Sequence, residues 1–239
     1  MKSAAFLVCM ICCLCLKGQS GEKVVCHPRP IPLMILGDSH MVGYWGEYFH
    51  RKLHETGRFN ILNVAIGGAG SRHFIQKKLT NHCCGYKIRR TWVGDVLESG
   101  DHVRRIEMSS VGDKSGVGAD WNYRLDSMVA YWQPEIVLIA LGSNRIDAHE
   151  DLIELIRGAC PKARIVWLSP FNRMGFEVRL NSIERCIKGK SYCTLVRMDD
   201  LAGHDTLLTF HLGSYSARKV GLKSAERVLP LLIDGVNHN

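Results

Sequence analysis

Four residues in chain order, Ser39, Gly68, Asn144 and His211, are of types that together suit acyl transfer. Gly37-Asp38-Ser39-His40 closes the apolar run Pro32 to Leu36. Asn63-Val64-Ala65-Ile66-Gly67-Gly68 carries a second such run into a glycine pair. Gly142-Ser143-Asn144 follows a third, and His211 precedes a helix-like pattern. Ser39 offers a hydroxyl nucleophile, Gly68 and Asn144 offer N–H donors for an oxyanion, and His211 offers a base that titrates near neutral pH. Each alone has a plainer reading. A serine or aspartate after a strand often caps a helix, a glycine often makes a turn, and an asparagine after a strand is usually a turn residue. Four fragments in order, each at a strand end or a helix start, are much harder to obtain by chance.

The competing readings of these segments are weaker. Gly67-Gly68-Ala69-Gly70 is too short for a dinucleotide fingerprint, and no P-loop lysine follows it. A one-residue shift would move the donor from Gly68 to Gly67. His50 and His54 stand four apart, a helical spacing that can hold a metal, but Arg51 occupies the position a zinc protease fills with glutamate. His40 adjoins the serine and is placed to line a pocket, while His204 competes with His211 for the base. Arg145 and Asp147 suit a local pair better than catalysis.

At these residues the chain resembles the SGNH (GDSL-like) hydrolases, and the resemblance spans nearly everything after residue 20. It maps the family's serine, glycine, asparagine and histidine onto Ser39, Gly68, Asn144 and His211. Gly-Asp-Ser-His, followed by Gly43 and Gly46, is similar to bacterial and phage-type members. The resemblance implies a flavodoxin-like three-layer α/β/α fold and esterase, lipase or carbohydrate-acetyl-ester chemistry with no cofactor and no metal. It leaves the substrate open, an acetylated carbohydrate or another small ester, and an O-acetyltransferase would use the same machinery. The chain departs from the family at one point. The aspartate expected three residues before the histidine is Leu208. A backbone carbonyl, Asp205, or an acid from elsewhere such as Asp199 or Asp200 would then orient His211. Leu208 is also the one feature that favours a non-catalytic carbohydrate-binding or scaffold protein on the same fold.

The first twenty residues read as a secretory signal: Lys2, an apolar stretch from Ala4 to Leu16, then Gly18-Gln19-Ser20. An uncleaved anchor is the alternative, given Lys17. Export would make the protein secreted or periplasmic. The formal charge of +8 falls to +6 once Lys2 and Lys17 leave, which suits an anionic cell-surface polymer as a neighbour. Nucleic acid is a poorer partner, because Arg89-Arg90 and Arg104-Arg105 are isolated pairs of the kind usually found on solvated surface. Cys26, Cys83, Cys84, Cys160, Cys186 and Cys193 remain, an even number that fits disulfides in an exported chain. The short polar loop between Cys186 and Cys193 predicts a bridge there. Cys83 and Cys84, being adjacent, are not expected to bond each other, and Cys26 or Cys160 is the expected partner for one of them.

Something must hold four distant residues together, and the pattern of the chain supplies it. With 239 residues, 46% of them hydrophobic, one full core is the expected organisation. Apolar runs at 31–36, 61–66, 136–141, 165–168 and 194–198 are continuous rather than alternating, as in strands covered on both faces. Helical spacing separates them, notably Val42, Trp45, Phe49, Leu53 and, near the C-terminus, Ala217, Val220, Ser224, Val228, Leu231. The prediction is a mostly parallel five-stranded sheet between helix layers. Residues 80–125 break the rhythm and read as an insertion, either shaping the substrate pocket or decorating the surface.

Overall fold

The computed structural model describes residues 29–97, 105–144, 147–172, 175–202 and 214–234. The signal-like segment, Cys26, Arg145, His204, Asp205, Leu208 and His211 all lie outside these residues.

The five expected strands are present, as β1 (Ile31–Gly37), β2 (Phe59–Ile66), β5 (Ile136–Ala140), β6 (Arg164–Leu168) and β7 (Cys193–Val196). They pair in parallel in the order β2-β1-β5-β6-β7. Among the described residues the sheet has seven strands rather than five. The segment read as an insertion supplies β3 (Cys84–Thr91) and β4 (Arg105–Val111), which continue the sheet antiparallel beyond β2. This region escaped the strand reading because its residues mix charge and glycine; β3 reads Cys-Gly-Tyr-Lys-Ile-Arg-Arg-Thr.

Neighbouring residues along β1 face opposite ways, and each face has its own cover. Met34 and Leu36 join Leu62, Val64, Val137, Ile139 and Trp167 beneath α4 (Leu125–Trp132), α5 (His149–Ala159) and α6 (Phe176–Ile187). Leu33 and Ile35 join Ile61, Leu138 and Val166 beneath α2 (Tyr44–His54) and the C-terminal helix α7 (Ser214–Asp234). Trp45 Nε1 donates to Ser224 Oγ across the α2–α7 contact at 3.1 Å, so the indole buries its body without losing its hydrogen bond. The result is the expected α/β/α sandwich.

The helix after Ser39 is two helices. α1 (Ser39–Val42) ends at Gly43, whose backbone is extended, and α2 starts one residue later. Gly46 permits the sharp join: a Cβ there would come within 2.1 Å of Met41 O.

The cysteines correct two expectations. Cys83 and Cys84 are bonded to each other, while Cys186 and Cys193 are free. Cys83 lies in a bend just outside β3, so the rule that successive strand side chains diverge does not separate the two sulfurs. Cys186 and Cys193 flank a helix-to-strand connection, not a hairpin, and pack with the apolar core. Burial pushes the Cys186 thiol up to about 12 and that of Cys193 up to about 11. No described helix is long and apolar enough to cross a membrane.

Candidate active site

The strand order makes one crevice. β1 lies between β2 and β5, and Gly37 pairs with Ala65 on one side and Ala140 on the other. The chain leaves β1 towards α1 on one face and leaves β5 towards α5 on the other face, which opens the sheet's carboxyl edge at that point. Ser39, Gly68 and Asn144 each lie within four residues of the end of one of these three strands.

Ser39 is the first residue of α1 and is half-buried. The capping role belongs to Asp38, whose Oδ1 accepts from His40 N at 3.0 Å, so the Ser39 hydroxyl is not consumed as the cap. Asp38 is buried, and His40 Nδ1 lies 3.3 Å from the same oxygen. The His40 ring stands edge-on to Phe171, and with Asp38, Trp45 and Ser143 both line a cavity of about 20 Å³, room for about one water.

Gly68 has φ +75, where a side chain is strained, and a Cβ there would approach Cys83 Sγ to 2.5 Å and His82 Cδ2 to 3.2 Å. Cys83 Sγ also lies 3.5 Å from Gly67 O. The exposed Cys83–Cys84 disulfide therefore packs directly on the glycine pair. Gly67 N–H is committed to Gly85 O at 2.8 Å, which leaves Gly68 rather than Gly67 as the donor candidate. Asn144 Nδ2 donates to Ala69 O at 2.9 Å and lies 3.5 Å from Asp38 Oδ2. One amide thus spans the loop after β2 and the turn that carries Ser39.

Arg89 overturns the reading of Arg89-Arg90 as solvated surface, for its side chain is fully buried. In β3 it stands opposite Asn63 and faces α1 and α2. Nη1 and Nη2 donate to Met41 O and Val42 O, at 2.8 and 3.0 Å, and Nε donates to Glu47 Oε2 at 2.9 Å. The carbonyls are those a four-residue helix leaves without partners, directly behind Ser39. A buried charge stripped of its partner costs about 3–5 kcal/mol, so Arg89 and Glu47 depend on each other.

The histidines at 50 and 54 serve the same joint. His50 Nε2 lies 2.9 Å from Thr91 Oγ1 and His54 Nε2 lies 3.0 Å from Asp95 O, pinning α2 to β3 and the turn beyond it. Their outer nitrogens are spent on protein, and no group of three or more metal-binding side chains occurs among the described residues. Burial first, then Arg89 and His54, holds His50 well below its ordinary pKa.

Two further residues had no signal in the sequence. Ser71, three after Gly68, and His149, five after Asn144, meet through Ser71 Oγ and His149 Nδ1 at 2.7 Å, both buried. Asp147 pairs with Arg72 across the loops, at 2.8 Å. Asp199 and Asp200 are engaged by Arg197 and Arg227.

Burial lowers the His149 pKa to about 4, against a smaller opposing effect of Asp147. An unfolded histidine takes up its proton near pH 6.5, so stability is full above that value and falls as pH drops towards 4. Between pH 7 and 4.5 this one residue should account for about 2–3 kcal/mol of lost stability. Urea titrations at the two pH values should show His149→Asn losing that much less than wild type. Equal losses would mean that His149 does not stay neutral in the folded protein.

No protein-family model matches the sequence, and no curated protein matches it. Solved structures do match. One is an acetyl xylan esterase from the rumen bacterium Butyrivibrio proteoclasticus, with 12% identity and a TM-score of 0.50 over 86% of this chain and 66% of that one. A carbohydrate acetylesterase from Sinorhizobium meliloti also has 12% identity and a TM-score of 0.50, over 83% of this chain and 98% of its own. The chain shares the α/β/α sandwich fold of these esterases. A family two carbohydrate esterase from Clostridium thermocellum, in complex with cellohexaose, has 15% identity and a TM-score of 0.50 over 88% of this chain and 67% of that one. The chain spans just under two thirds of the acetyl xylan esterase.

Proposed function

We propose that this protein is an exported serine esterase of the SGNH type that removes O-acetyl groups from a carbohydrate. The observation that carries the reading is the meeting of three strand ends. Ser39 opens a helix, Gly68 has its N–H free of the strand ladder, and the Asn144 amide reaches between their loops.

Ser39 Oγ attacks the ester carbonyl carbon and His211 takes the hydroxyl proton. The N–H groups of Ser39 and Gly68 and the Asn144 side chain hold the oxyanion. Collapse breaks the bond to the sugar oxygen, which leaves with the proton from His211. Water then attacks the acyl-enzyme, gives a proton to His211, and releases acetate as Ser39 recovers its hydrogen. A sugar hydroxyl in place of that water would make the protein an O-acetyltransferase. The acetyl-sugar preference rests on the acetyl xylan esterase and carbohydrate acetylesterase that share the fold.

Leu208 favours the second reading, a carbohydrate-binding scaffold. Under the enzymatic reading, a backbone carbonyl or Asp205 orients His211. A fluorophosphonate probe and a panel of aryl esters and acetylated sugars test the choice. The enzyme should be labelled at Ser39 and release acetate from at least one acetylated sugar. An unlabelled protein that binds sugars without hydrolysis would establish the scaffold.

A further inference from the structure

The loops after β2 and β5 must each deliver one oxyanion donor to the same point, yet no ladder hydrogen bond joins β2 to β5, because β1 lies between them. Contacts among the described residues join the loops instead. Asn144 Nδ2 donates to Ala69 O at 2.9 Å, Arg72 Nε meets Asp147 Oδ2 at 2.8 Å, and Ser71 Oγ meets His149 Nδ1 at 2.7 Å. The second is largely exposed, and such pairs contribute about 0–1 kcal/mol. The third is inaccessible to water, with Ser71 at 0% and His149 at 3% exposure. Its members begin the two helices that follow the loops: Ser71 opens α3 (Ser71–Phe74) and His149 opens α5. The His149 ring is backed edge-to-face by Trp167 of β6, centroids 4.9 Å apart, so the imidazole stands against the core. Burial excludes the pair from attack on any substrate. What it can do is fix one loop against the other.

We propose that the Ser71–His149 hydrogen bond is a positioning clasp that holds Gly68 and Asn144 in register as paired oxyanion donors. The proposal rests on the esterase reading above. Oxyanion donors act only when placed within a few tenths of an ångström of where the charge develops, and small displacements originating away from the chemistry can cost up to about a hundredfold. Neither member of the clasp is exposed to touch a substrate itself. Loss of the clasp therefore reaches kcat and spares KM.

The test uses the full chain and an aryl acetate. Ser71→Ala and His149→Leu should each lower kcat about tenfold with KM within about twofold. His149→Asn, whose side-chain amide offers both an acceptor and a donor in place of Nδ1, should restore most of the loss. In an Asn144→Ala background, Ser71→Ala should cost no more than about twofold, since a single remaining loop donor needs no register. Hydrogen exchange gives a readout independent of turnover. Ser71→Ala should speed exchange in both the 67–70 and the 142–148 segments. Unchanged kcat with wild-type exchange, or losses in KM instead of kcat, would overturn the clasp. If wild type hydrolyses no ester, the esterase reading fails first, and protected exchange lost in both segments together still separates a clasp from an idle contact.

Discussion

Ser39→Ala should eliminate aryl acetate hydrolysis while leaving thermal unfolding nearly unchanged. The expected fall in kcat is on the order of 10⁴–10⁶, because in the proposed mechanism the acyl-enzyme forms on Ser39 Oγ and the remaining donors give only residual acceleration. The stability half of this result follows from the local structure. A serine at a helix start commonly serves as its cap, and losing a cap costs about 1 kcal/mol. Here Asp38 accepts from His40 N and caps α1, so the hydroxyl removed is not the one that stabilises the helix. Replacing a half-buried side chain outside the core then moves stability by about 0.5 kcal/mol or less. Wild-type turnover in the variant would sink Ser39 as the nucleophile. Loss of activity together with a clear drop in melting temperature would show that the serine is structural after all.

The five parallel strands were legible because burial on both faces leaves long apolar runs, and such runs leave little else to be. The placement of Ser39, Gly68 and Asn144 at one edge of the sheet was legible for a related reason: each sits just past one of those runs, where a parallel sheet gathers its loops. What the sequence hid depends on side chains that change their apparent character once placed. Arg89 looks like surface charge, yet alternation along β3 turns it towards α1, where three partners await it. β3 itself was invisible because a strand that buries an arginine and carries cysteine and glycine at its start lacks an apolar run. His50 and His54 advertised a metal spacing, whereas their partners come from 41 residues away on the inserted strand and the turn after it. Cys83 and Cys84 were set apart because they are adjacent, yet the chain bends at Cys83 and the two are bonded. Ser71 and His149 are 78 positions apart, and nothing local marks a hydrogen bond formed only when two loops converge.

Asn144→Ala should lower kcat by about 10²–10³ with little change in KM, since the donor acts on charge that exists only in the transition state. The geometry gives this expectation its form. Of the two hydrogens on Nδ2, one is held by Ala69 O at a normal distance, while the contact to Asp38 Oδ2 is stretched to 3.5 Å. The stretched bond is the weaker of the two, so its hydrogen is the one available to a developing oxyanion, while His40 N stays on the other oxygen of Asp38. Ala69 O meanwhile keeps the amide plane from turning. Truncation removes both functions at once, so part of the loss comes from the freed 67–70 loop. Asn144→Asp separates the two. It keeps the size of the side chain but supplies no N–H and adds a negative charge beside Asp38, so kcat should fall at least as far as in the alanine variant. Steady-state kinetics on an aryl acetate decide the matter. If KM rises while kcat holds, Asn144 binds ground-state substrate. If Asn144→Asp retains wild-type kcat, the side chain is not an oxyanion donor and Gly68 and Ser39 N–H must suffice.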